Sequence, residues 1–122
     1  MHVGVMRLEL EIPGARSLKD KRQVVRSFKE RVKARLSISI AEVGHLDKLQ
    51  RATFGVAVVS GDAAVCEELL GRVTSLAGSL PNAILIDRAS EMIPFGEAGT
   101  GVVGGIEQIS REWLDEPEDD ET

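Results

Sequence analysis

The stretch Ser17 to Leu36, SLKDKRQVVRSFKERVKARL, carries two stripes at helical spacing, one suited to holding a fold and one suited to meeting a partner. At about 100° per residue, Leu18, Val25, Phe28, Val32 and Leu36 share one face, with Val24 at its edge. That face predicts a helix laid over a sheet. Lys19, Arg22, Arg26, Lys29 and Lys33 recur at steps of 3, 4, 3 and 4, so they line one flank of the same helix over about 21 Å.

The elements around this helix follow from the alternation on either side of it. Val3 to Ile12 reads as a strand, with Met6, Leu8, Leu10 and Ile12 on one face and Arg7, Glu9 and Glu11 on the other. Pro13 and Gly14 end it, and Ser17 with Asp20 three residues later forms a weakened capping box. Ser37 to Val43 and Ala52 to Val59 read as a hairpin around the polar connection Gly44 to Gln50. The second of these strands is apolar on much of both faces, which predicts a central position. Asp62 caps a second helix, in which Val65, Leu69, Val73 and Leu76 follow helical spacing up to Gly78. Ala83 to Ile93 supplies the last strand.

The order β-α-β-β-α-β is the split βαβ unit. It predicts an α+β, ferredoxin-like sandwich, a four-stranded antiparallel sheet with two helices on one face. A chain of 122 residues holds one such domain, here expected over 1–93. Residues 94–105 are Gly-rich and are expected to be a mobile linker, and 106–122 a short helix and acidic disordered tail. Within the tail, Ile106, Ile109 and Trp113 form an apolar set that could dock on this domain, on a second subunit or on another protein.

Charge sharpens the functional question. The net charge is -5, yet Arg16 to Arg35 holds nine Lys and Arg against Asp20 and Glu30, whereas Glu112 to Thr122 holds seven acids and no base. The acidity belongs to the tail. Arg16, Lys19, Lys21 and Arg22 crowd the first turns, where the helix dipole disfavours cations and free N–H groups favour an anion. Arg16, Lys19, Lys21, Arg22, Arg26, Lys29 and Lys33 are therefore the candidate phosphate-binding residues, against the alternative of a solvated charged face. Lys21 is ambiguous, because its helical angle lies in the apolar stripe. Either its stem packs and its ammonium reaches water, or it makes a fixed phosphate or carboxylate contact.

Other chemistries find little support. Gly99 to Gly104 spells G-x-G-x-x-G, but the remaining 18 residues cannot complete the βαβ unit a dinucleotide site needs. Glu42, His45 and Asp47 sit together around the hairpin connection, where an ordinary polar turn is the simpler reading than metal or acid–base work. Cys66 lies in an apolar helical pattern as a small core residue, and one cysteine excludes an intrachain disulfide. No metal or cofactor site and no catalytic residue is expected. Aromatic residues make up 3% of the chain with no Tyr, so base stacking has few candidates. No apolar run is long enough to span a bilayer and no signal peptide is evident, which makes the cytoplasm the expected address. The sheet face without helices carries Val3, Val5, Ala57 and Val59, a patch that a homodimer would bury.

The stretches IPGARSLKDKRQVVRSFKERVKAR and SIAEVGHLDKLQRATFGVAVVS resemble the YlxP-like family of small bacterial proteins of unknown function, over about residues 3 to 93. Leu49 stands where that family often has Trp. The resemblance implies a ferredoxin-like α+β domain, in line with the element order. The family's genes commonly lie near those of translation initiation and ribosome maturation factors, which implies an RNA or ribosome connection. It supplies no catalytic residues, and the Gly-rich linker and acidic tail look like additions to the family domain.

The expectation is a non-enzymatic RNA- or ribosome-associated protein that grips phosphates through its basic helix, without DNA sequence specificity. The alternative is a homo-oligomeric protein-interaction module, with a small enzyme last.

Overall fold

A computed structural model of the chain describes residues 1–96. Alternation in the first apolar segment yields β1 (His2–Glu11), and α1 (Leu18–Arg35) follows the turn at Pro13–Gly14. The hairpin strands are β2 (Ser39–Gly44) and β3 (Arg51–Ser60), followed by α2 (Ala63–Gly78) and β4 (Ile84–Pro94). All pairings are antiparallel and the strand order is β2-β3-β1-β4, so β1 and β3 are central and β2 and β4 are edges. This is the ferredoxin-like βαββαβ sandwich that the element order predicts.

The even-numbered residues of the two central strands face the helices. Met6, Leu8 and Leu10 of β1 and Phe54, Val56 and Val58 of β3 are buried against Val25, Phe28 and Val32 of α1 and Cys66, Leu70, Val73 and Ala77 of α2. Phe28 and Phe54 meet edge to face, with ring centroids 5.1 Å apart at 71°, and tie α1 to the sheet centre. Over α2 the approach is closer still. A Cβ at Gly4 would stand 3.1 Å from Leu70 Cδ1 and Val58 Cγ1 and 3.3 Å from Cys66 Cβ, so the missing side chain lets the helix settle on β1.

Both helices start on side-chain caps. Ser17 Oγ accepts from Asp20 N at 3.1 Å, and Asp62 Oδ1 accepts from Ala64 N at 3.0 Å. Asp20 completes its box one residue early, accepting at Oδ2 from Arg16 N at 2.9 Å.

Two connections lock together at the α1 N-terminal end. Ile12 N donates to Gln50 O at 3.0 Å, and Gln50 Nε2 donates to Ala15 O at 3.1 Å and Pro13 O at 3.3 Å. At the opposite end of the sheet, pairing continues past β4. Phe95 N donates to Met1 O at 2.8 Å and the Met1 ammonium to Phe95 O at 3.1 Å, two residues beyond Ile93, where the sequence places the end of the domain.

Candidate nucleic-acid interface

The buried stripe of α1 runs Lys21, Val25, Phe28 and Val32, continuing to the C-cap residue Leu36. Leu18, expected in it, is 41% exposed, and Lys21 occupies its place at 2%. Of the readings open for Lys21, the fixed carboxylate contact is the one observed: its ammonium does not reach water, and it is not available as a phosphate ligand. Its Nζ lies 3.0 Å from Glu42 Oε2 and donates to His45 O. Glu42 pairs in register with Phe54, which turns its side chain to the helix side of the sheet beneath Lys21. The Glu42 Oε2 atom is buried and receives no directed hydrogen bond, so the ion pair alone neutralises it. His45 holds a left-handed φ of 57°, and its Nδ1 is hydrogen-bonded to Thr53 Oγ1 at 2.8 Å. Glu42 and His45 are thus committed to fixing the β2–β3 connection to α1. Among the described residues, no three His, Cys, Asp or Glu side chains gather as a metal set.

The remaining cations behave differently. Arg16, Lys19, Arg22, Arg26 and Lys33 are exposed and Lys29 is half-buried. The Asp20, Gln23 and Ser27 flank of α1 lines a cleft together with Asn82 of the α2–β4 connection. The cationic flank, on the other side of the buried stripe, therefore turns away from α2. The side-chain ion pairs of the described residues engage Arg7 with Asp87, Lys21 with Glu42 and Arg51 with Glu9, and none engages Arg16 or the five cations of this flank. They form an uncompensated row on a helix anchored through Phe28.

The helix N-terminus itself is a weaker anion site than the sequence implies. The Asp20 N–H is taken by Ser17, and the Asp20 carboxylate already places one negative charge beside the first turn. Arg16, just before that turn, points its charge into an exposed position with its backbone N–H held by Asp20. What the end of the helix offers is side-chain charge.

The sheet offers no stacking platform. Among the described residues, Phe54 and Phe28 are fully buried and Phe95, half-buried where the pairing continues past β4, has no aromatic neighbour beside it. Ile106, Ile109 and Trp113 lie outside the described residues, as do the G-x-G-x-x-G stretch and the acidic tail. Among the described residues, no helix is long and apolar enough to cross a membrane.

A ferredoxin-like α+β domain with an uncompensated basic helix is therefore the class of protein that the fold and this surface define. The chain belongs to the DUF503 family, described as a protein of unknown function, whose pattern it matches over residues 3–89. It is 38% identical over 79 residues to the uncharacterized protein YlxP of Bacillus subtilis (strain 168), an alignment covering 65% of this chain and 86% of that one. Among solved structures, a dimeric ferredoxin-like protein from an uncultured marine organism aligns at 11% identity and a TM-score of 0.34, over 75% of this chain and 86% of that one. A putative chlorite dismutase aligns at 15% identity and a TM-score of 0.38, over 75% of this chain. This chain spans only 44% of that structure's length.

Proposed function

We propose that this protein binds the phosphate backbone of structured RNA, in ribosomal particles or their precursors, without catalysing a reaction. One observation carries the reading: Lys19, Arg22, Arg26, Lys29 and Lys33 lie along one flank of α1 with Arg16 just before its N-terminus, and none of the six has an ion-pair partner among the described residues. A row of cations on a rigid helix follows a phosphate backbone and reads little sequence. With Phe54 buried and Phe95 alone at the sheet corner, backbone contact is favoured over base stacking. The family resemblance makes ribosomal RNA the first ligand to try.

The test is binding to ribosomal RNA and to small ribosomal subunits across a salt series. Six phosphate contacts predict a log–log slope of about -4 to -5, since each contributes about 0.7 to 0.9 through counterion release. Changing Arg22, Arg26 and Lys29 together to Glu should flatten that slope by more than half. No binding by either protein would sink the proposal.

A further inference from the structure

The face of the sheet away from the helices carries a groove of about 480 Å³, and its floor is made of small residues. Ala41 of β2, Gly55 and Ala57 of β3 and Ala89 of β4 leave it hollow, while Val5 and Val43 rise at its sides. Val43 is 58% exposed and Val59, on the same face, 62%. Arg7, Ser39 and Glu91 rim the same groove, so its apolar floor lies open to water inside a polar border, the setting in which an amphipathic third layer fits. Two copies of such a face set against each other would oppose hollow to hollow and leave voids between them, whereas a convex apolar ridge fills one.

We infer that this groove is the seat of the chain's own segment Ile106 to Trp113, docked as a helix across the open face of the sheet. Ile106, Ile109 and Trp113 stand at i, i+3 and i+7, a single helical ridge flanked by the small Ser110, with Glu107, Gln108 and Arg111 on the opposite face. The point of departure suits it. Pairing of Phe95 with Met1 brings the chain out at the sheet corner beside Val3 and Ile93, and Ala89 lies six residues back from Phe95 along β4, about 20 Å at the strand rise. Residues 97–105, four of them glycine, span about 15–18 Å as a flexible chain. Fully extended, the same nine residues reach about 30 Å, so the connection is long enough to bring Ile106 to the groove. A tether of that length holds the ridge at an effective concentration of about millimolar, so at micromolar protein a second copy loses the competition for the groove. The docked segment lies on the opposite side of the sheet from α1, so this inference stands or falls independently of RNA binding.

Trp113 is the sole Trp in a chain without Tyr, so its fluorescence reports this contact directly. In the full-length protein without RNA, its emission should be blue-shifted relative to the urea-unfolded protein and shielded from acrylamide, equally at nanomolar and micromolar concentration. Ala57→Glu, in the groove floor, should move the emission to the unfolded position while circular dichroism stays native. Should Ala57→Glu disturb the fold, Ile109→Glu gives the same readout with residues 1–96 unaltered, and it too should abolish the shift. Native emission already at the unfolded position would overturn the inference. So would a blue shift that survives Ile109→Glu, one lost on dilution in step with dissociation of a dimer seen by sedimentation, or one that needs added ribosomal RNA.

Discussion

The ammonium of Lys21 sits 3.0 Å from Glu42 Oε2, joining the first turns of α1 to the middle of edge strand β2 beneath the helix. Both charges are withdrawn from water, so their value is that of a matched pair. Lys21→Met alone should cost about 3 kcal/mol, because it strands a largely buried carboxylate, and Lys21→Met with Glu42→Leu should recover most of that loss. Urea unfolding of the two single variants and the double variant measures the coupling. Once folded, the double variant should bind RNA as the parent does, which separates Lys21 from the binding row.

The cationic row carries a stability cost at its N-terminal end. Lys19 stands in the first turn of α1, exposed, where the helix dipole is unfavourable to a cation. Lys19→Glu should raise stability by about 0.3–1 kcal/mol and weaken RNA binding at low salt. Thermal unfolding and RNA titration on the same sample check both halves, and a surface kept only for solubility would show the first without the second.

Gly4 marks where α2 presses hardest on the sheet. Gly4→Val must displace Leu70, Val58 and Cys66, whose atoms stand 3.1–3.3 Å from a Cβ there, and should destabilise by about 1–3 kcal/mol through overpacking. Denaturant midpoints for Gly4→Ala and Gly4→Val should fall in that order.

Residues 97–122 hold nine Asp and Glu against Arg111, whereas residues 1–96 hold fourteen Lys and Arg against eleven Asp and Glu. On the proposed RNA-binding reading, the charge of the acidic end opposes that of the domain and should weaken the attraction of RNA. Removing Asp115 to Thr122, which spares Trp113, should tighten RNA binding several-fold at about 10 mM salt and hardly at about 150 mM, where the screening length falls from about 30 Å to about 8 Å. Equal affinities for the two proteins at low salt would refute this.

The fold was legible because its signals were local and repeated. Alternation in β1, the caps at Ser17 and Asp62 and the apolar faces of both helices each specify an element, and their order leaves few topologies. Residues whose role depends on what the fold brings beside them were less legible. Lys21 stands at an apolar angle, and only the register of β2 reveals that Glu42 waits beneath it. Gln50 reads as part of a polar turn, yet it ties that turn to Ala15 and Pro13 of the β1–α1 connection, 35 and 37 residues away. In β4 the pairing slips opposite Glu9 and Leu10, so Leu85 turns toward the core while Ile84 and Ile86 stay exposed, a shift no alternation rule within the strand could foresee. The basic row was visible from spacing alone, and what the fold added was which flank turns away from α2 and which cation was never available.

The closure of Met1 against Phe95 also has a mechanical side. β1 and β4 run antiparallel, and the start of one meets the end of the other at a single corner of the sheet. A pull on Met1 and Gly96 would load their ladder one hydrogen bond at a time, as a zip opens, instead of shearing the whole row at once. The domain is therefore built to yield to traction at low force, with β4 peeling first from the edge while β1 remains paired to β3.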